Sequence, residues 1–360
     1  MSSPPFYSDA PVSSVELDAL GRAPVARRLV DMMTVQRDQP LVIGVCGSAG
    51  SGKTSVLRMT GELLSLRPDL RAFAIDAWAL GSAAKVSEVF VDEISQIFVD
   101  EGVASTIDRL REQLLGIGDM VSAVVSFAGA DVDVKGALTL SADALEEELR
   151  TLTQAAGKRI AVMIDHLDRL PPADSLAVLR TVQRFSKFAY LAFVLGIDRD
   201  QLVRDTTRAH GDDDMVSRII AIELPLPPCD RVRVAAWMRG ALADLAELLA
   251  LDATAALALF DIDDGLGLEL VANLRQAKRL HNALAAIVPM AGQAADLRVA
   301  VLLELVRAQL PGAYPLVYQH LALHAGAPPN AELRMELDRH VARHRRPTAA
   351  AALLSALVAT

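Results

Sequence analysis

Cysteine is nearly absent: the chain has two in 360 residues, Cys46 and Cys229. They lie far apart, and Cys46 falls inside an apolar run with core character. A disulfide framework is excluded, and a reducing, cytoplasmic setting is expected. Aromatic residues are scarce too, 4% of the chain against 52% hydrophobic overall. The core must therefore be built from Ala, Leu and Val, which suits helices packed on a parallel sheet. A surplus of basic charge is missing, the formal net charge being −9. That removes a global electrostatic footprint for nucleic acid and leaves only local patches such as Arg339 to Arg346. No apolar run approaches the ~20 residues that span a bilayer. The nearest, Met120 to Ala130, is closed by Asp131 and Asp133. Met1-Ser2-Ser3-Pro4-Pro5 has neither the basic start nor the apolar stretch of a signal peptide. No transmembrane segment is expected.

What the chain does have is Gly47-Ser48-Ala49-Gly50-Ser51-Gly52-Lys53-Thr54, which fits G-x-x-x-x-G-K-[ST], the phosphate-binding P-loop. Before it, Leu41 to Cys46 reads as a buried parallel strand. After it, Ser55 to Leu64 has apolar residues at helical spacing. Strand, glycine loop and helix are the context the motif needs. The glycines let backbone N–H groups approach phosphate oxygens, and the helix N-terminus favours an anion. In this reading Gly47 to Ser55 bind the nucleotide, Lys53 reaches the β- and γ-phosphates, and Thr54 is a ligand of Mg²⁺.

The rest of the first part alternates strands and helices. Val15 to Met33 reads as one amphipathic helix, in which Asp18 to Arg22 stands where an adenine neighbour could lie or is plain surface. Leu70 to Trp78 reads as a second strand, and Val86 to Leu115 as a long helix with Val89, Phe90, Ile94, Ile97 and Phe98 on one face. Gly116 to Thr139 reads as an irregular insertion, with a possible short hairpin at Val132 to Val134, and Ser141 to Gln154 as an acidic helix. Three further strands are expected at Arg159–Asp165, Ala189–Gly196 and Ile219–Leu224, with a helix from Ala173 to Phe185 after Pro171 and Pro172. This is a three-layer α/β core with a parallel sheet. The prolines of Leu224 to Pro228 mark a boundary. Beyond it, helices are expected at Asp230–Leu251, Ala253–Phe260, Leu268–Ile287, Leu297–Gln309 and Leu316–His324. The expected domains are a core over 1–228, a helical lid over 229–330 and a basic helical tail over 331–360.

Asp165, at the end of an apolar strand, fits a carboxylate that completes the Mg²⁺ site with Thr54. Hydrolysis also needs a group to orient or deprotonate water. That group usually follows the metal carboxylate and is acidic, but here the position is His166, with Asp168 and Arg169 just beyond. A neutral imidazole can accept a proton near pH 7, or the residue can mark a weakened site. Asp198, after the fourth strand, is placed either to touch a γ-phosphate or to cap a helix. Arg218 could reach a neighbouring subunit's nucleotide in a homo-oligomer, or be a surface arginine. Arg275, Lys278 and Arg279 share one side of a helix at spacings of three and four. They are read either as a γ-phosphate sensor or as a solvated basic face. Asp261 to Gly265 lacks the downstream glutamate of a calcium loop.

On these residues the chain resembles the KAP family of P-loop NTPases, from Phe6 to about Asn282. Phe73-Ala74-Ile75-Asp76-Ala77-Trp78 is similar to the family's F-N-A-W element. Ile164-Asp165-His166-Leu167-Asp168-Arg169-Leu170-Pro171-Pro172 is similar to its I-D-D-L-D-R-C-P-P. Phe193 to Asp198 and the Asn273 to Asn282 helix match in kind and order. The resemblance implies an ASCE-type core related to AAA+ and STAND ATPases, a helical lid, and ATP with Mg²⁺ as ligands. Many members carry membrane-spanning insertions between the two phosphate-site motifs, where this chain has only Gly116 to Thr139. Bacterial members are associated with phage exclusion or defence, and animal relatives with membrane-signalling scaffolds. His166 departs from the family's second acid, and Leu170 from its cysteine.

Three functions follow as expectations. The leading one is an ATPase whose nucleotide state switches the helical lid and controls assembly or a protein partner. The second is a nucleotide-bound scaffold that does not hydrolyse. The third is a nucleoside-type kinase, since Ile43 to Thr54 also looks like kinase P-loops; the Asp165 to Arg169 run speaks against it.

Overall fold

The computed structural model describes residues 6–35, 40–100, 158–188, 190–210, 214–263, 265–291, 296–324 and 328–358. The expected insertion at 116–139, the hairpin within it, the helix at 141–154 and the end of the long helix past residue 100 lie outside these. The chain divides into two compact units, Pro11–Pro228, and Met1–Ala10 with Cys229–Thr360.

The first unit is built on five parallel strands: β1 (Leu41–Cys46), β2 (Leu70–Asp76), β3 (Arg159–Asp165), β4 (Leu191–Ile197) and β5 (Ile222–Pro225), in the order β2-β3-β4-β1-β5. β3 and β4 are buried along their whole length, as near-continuous apolar strands covered on both faces should be. One face carries α1 (Ala23–Thr34) and α2 (Lys53–Ser65) over Ile43, Val45, Met163 and Val194. The other is covered by α4 (Ala83–Asp100), α5 (Pro172–Phe185), α6 (Arg199–His210) and α7 (Met215–Ile219), packed on Val42, Val162 and Phe193. A one-turn helix, α3 (Ala77–Leu80), follows β2. The three-layer α/β expectation holds. Among the described residues no helix is long and apolar enough to cross a membrane.

Several boundaries differ for local reasons. Val15 to Met33 is not one helix but a 3-10 turn at Val15–Leu17 followed by α1. Gly21 between them has φ 68°. Asp18 accepts from the backbone of Leu20 at 3.2 Å and of Ala23 at 2.7 Å, ending one segment and capping the next. β2 stops at Asp76, whose Oδ1 accepts from Ala79 N at 3.1 Å and so starts α3, which holds Trp78. Ile219 belongs to α7 and Ile220 caps it, so the last strand starts at Ile222.

The second unit is helical: α8 (Arg231–Leu249), α9 (Thr254–Ala258), α10 (Leu266–Leu270), α11 (Leu274–Ala291), α12 (Leu297–Gln309), α13 (Tyr314–His324), α14 (Ala331–Ala342) and α15 (Pro347–Val358). The expected helix Leu268–Ile287 is broken at Val271–Asn273. Asn273 Oδ1 there accepts from Gln276 N at 3.0 Å and opens α11. Leu337, Leu353 and Leu357 of α14 and α15 enter the same buried cluster as Met238, Leu284 and Leu302.

Candidate active site

The first unit carries the site at the C-terminal ends of β1, β3 and β2. The loop after β1 is tied to the end of β4 by Gly47 N, which donates to Ile197 O at 3.0 Å. Gly50 and Gly52 have φ of 82° and 100°, backbone that side chains with a Cβ adopt at a cost. Gly52 caps α2, which starts at Lys53, two residues before the start read from apolar spacing. Lys53 is buried, and its Nζ donates to Gly47 O at 2.6 Å and Ser48 O at 3.3 Å, so the ammonium is held inside the loop. Ser51 Oγ is buried there without a hydrogen-bond partner. The Ser55 hydroxyl, expected at the nucleotide, accepts from Val12 N at 3.2 Å.

Asp165 ends β3 in register with Asp76 of β2 and Gly196 of β4. Its Oδ1 accepts from His166 N at 2.8 Å. Its Oδ2 is buried and has no hydrogen-bond partner, the nearest cationic candidate being His166 Nε2 at 3.7 Å, beyond hydrogen-bond reach. A desolvated, unpaired carboxylate oxygen is costly. Thr54, Asp76 and Asp165 line a cavity of about 540 Å³. An orphaned carboxylate oxygen beside a threonine hydroxyl suits a hard, oxygen-binding cation, so these residues fit Mg²⁺.

His166 sits where the water-orienting acid was expected, and its backbone is left-handed, φ 62° and ψ 29°. Such a conformation costs a residue with a Cβ about 1–3 kcal/mol, though His, like Asn and Asp, is enriched there. One well-buried core side chain such as Phe193 contributes a similar amount, roughly 1.5–3 kcal/mol. The ring is fixed from two sides: Nδ1 lies 3.1 Å from Asp76 Oδ1 and Nε2 lies 3.3 Å from Thr54 Oγ1. Trp78 stands edge-on with ring centroids 6.5 Å apart, and the Arg169 guanidinium lies 5.3 Å from the Trp78 ring centroid, within cation–π range. Asp168 Oδ1 is buried without a hydrogen-bond partner.

Asp198 caps α6, its Oδ1 accepting from Gln201 N at 3.3 Å. Arg218 is exposed on α7. Cys46 is a thiol, its pKa pushed up to about 11 by burial and then by the Glu223 carboxylate. In the second unit, Arg275 Nε lies 3.2 Å from Asp9 Oδ1, and Arg279 Nη2 lies 2.9 Å from Asp9 Oδ2. Lys278 Nζ donates to Ser8 O at 3.0 Å. Two contributors, Asp76 and Gly196, were only parts of recognised runs and had no role from sequence. Arg22, in the segment read as an adenine neighbour or plain surface, is 4% exposed and donates to Pro227 O at 2.6 Å.

A glycine loop opening a helix, with its lysine turned inward and a strand-end aspartate beside its threonine, defines a P-loop NTPase. The model of the KAP family P-loop domain matches residues 22–291, and the chain belongs to that family. The phage T7 exclusion protein of Escherichia coli K12 is 22% identical over 255 residues, 61% of this chain and 34% of that protein. The chain thus spans about a third of that curated relative. Among solved structures it is similar to the Walker-type ATPase PABY2304 of Pyrococcus abyssi, with 13% identity, a TM-score of 0.44 and coverage of 96% and 98% of the two chains. It is also similar to the ORC2 protein of Aeropyrum pernix in its ADPNP–ADP complexes, with 13% identity, a TM-score of 0.43 and coverage of 98% and 96%.

Proposed function

We propose that the chain binds ATP with Mg²⁺ and hydrolyses it, and that nucleotide state switches the helical unit to control assembly or a protein partner. The observation that carries this reading is the unpartnered, buried Asp165 Oδ2 beside the Thr54 hydroxyl, with Lys53 Nζ held inside the glycine loop. Backbone N–H groups of Gly47 to Thr54 and the Lys53 ammonium bind the phosphates. Thr54 and Asp165 hold the metal, which when bound neutralises charge developing on the transferred phosphoryl group. His166 or Asp168 orients the attacking water. Arg275 senses the γ-phosphate, whereas Asp198, read for that role or as a cap, caps α6; Arg218 reaches a neighbour's nucleotide if the chain forms a homo-oligomer. The likeness to the phage T7 exclusion protein supports phage defence as the setting of the switch.

Titration calorimetry tests the nucleotide assignment: Lys53→Ala loses tight ATP binding, and equal affinity in the variant would overturn it. A second reading, a nucleotide held but not cut, draws on His166, whose ring faces Thr54 where an acidic group was expected. Turnover separates the two.

A further inference from the structure

Two positions at which this chain departs from its family's motifs touch each other. Asp76 stands where the F-N-A-W element has asparagine, and His166 where the I-D-D run has its second acid. Neighbouring strand ends bring them together, Asp76 being in register with Asp165, and Asp76 Oδ1 lies 3.1 Å from His166 Nδ1. An ionised carboxylate only accepts, so Nδ1 is the donor. In a neutral ring this leaves Nε2 as a bare acceptor. That nitrogen lies 3.3 Å from Thr54 Oγ1, at the mouth of the proposed metal site.

The same Asp76 oxygen caps α3 through Ala79 N, but a cap does not explain the carboxylate, because asparagine caps as well as aspartate. What asparagine does not supply is an obligate acceptor for an imidazole N–H. Either change made alone gives a poorer pair. Asparagine beside His166 can turn its amide and present a donor, and aspartate beside a second aspartate sets two carboxylates against each other.

We propose that Asp76 is a positioning residue: it fixes the tautomer of His166 so that Nε2 accepts a hydrogen bond from the attacking water, and the pair together replaces the missing second acid. This rests on the hydrolytic reading given above. The acid has in effect moved one strand over, from β3 to β2, and the imidazole transmits its orientation back to the site.

The test joins a spectroscopic and a kinetic readout. Nitrogen-15 NMR of the nucleotide-free protein, at a pH where the ring is neutral and with His166 assigned by its replacement with glutamine, should show the Nδ1–H tautomer. In Asp76→Asn that preference should be lost. The kcat of this variant should fall by about tenfold with KM and ADP affinity within about twofold, because the interaction acts in the transition state. The double variant Asp76→Asn, His166→Asp should recover kcat to within about threefold of the parent, since the two changes couple. An Nε2–H tautomer in the parent, or a double variant no faster than its singles, overturns the proposal. The tautomer is read without nucleotide. The expected tautomer in a parent that releases no phosphate would sink the hydrolytic reading and the water-orienting role, while the Asp76–His166 pairing would stand.

Discussion

Gly196 lacks the side chain that would crowd Asp165. A Cβ built on Gly196 would stand 2.5 Å from Asp165 Oδ1 and 2.8 Å from Leu57 Cδ1. β4 runs between β1 and β3, and its register sets Gly196 opposite Asp165. Gly196→Ala therefore pushes Asp165 out of place. Overpacking of this kind costs about 1–3 kcal/mol of stability, read by denaturant unfolding. The larger expected effect is on the metal. If Asp165 holds Mg²⁺ as proposed, ATP affinity measured with Mg²⁺ should drop by about tenfold or more relative to the parent, while affinity measured in chelator changes little.

Asp9 holds both arginines of α11, at 3.2 Å from Arg275 and 2.9 Å from Arg279. The pairs are exposed, so their direct contribution to stability is small. If Arg275 senses the γ-phosphate, the Asp9 carboxylate competes with the nucleotide for its guanidinium. Asp9→Asn should then tighten a slowly hydrolysed ATP analogue by about threefold and leave ADP unchanged, as expected when one of two competing partners is removed. Calorimetry with the two nucleotides checks this. Equal shifts for both, or none, would remove Arg275 from the γ-phosphate.

His281 is buried in the helical unit, its ring 4.8 Å from that of Tyr7 and 6.3 Å from that of Trp237. Burial pushes its pKa below the ordinary 6.5. The sign follows from linkage: above the ordinary value both states are neutral and nothing changes. Below it the unfolded chain takes up the proton first, and stability falls until the folded ring is protonated too. His281→Phe lacks this loss. Thermal unfolding between about pH 7.5 and 5.5 should show a steeper fall for the parent than for the variant, and parallel slopes would contradict it.

The P-loop and the strand that ends at Asp165 were legible in the sequence because each is local. Gly47 to Thr54 and Arg159 to Asp165 each carry their chemistry within one strand and one turn, and burial on both faces makes such strands continuous apolar runs. Helix limits were less legible where a cap sits inside an apolar pattern. Gly21 and the Asp18 cap divide Val15 to Met33, and Asn273 divides Leu268 to Ile287. The partners of His166 and Arg275 were not legible at all. Asp76 is 90 residues from His166, and Asp9 is 266 residues from Arg275. Only the β2–β3 pairing and the return of the N-terminal residues to α11 bring them together. Asp198 was legible in both place and alternatives: of its two readings, γ-phosphate contact or helix cap, its side chain makes the cap of α6.

The central claim is that the site cuts ATP rather than holding it. Steady-state phosphate release with Mg²⁺ tests it most directly, run on the parent, Lys53→Ala and Asp165→Ala. The account predicts turnover by the parent that is lost in both variants and in chelator. Phosphate release no faster from the parent than from Asp165→Ala, or phosphate passed to a nucleoside instead of water, would contradict it.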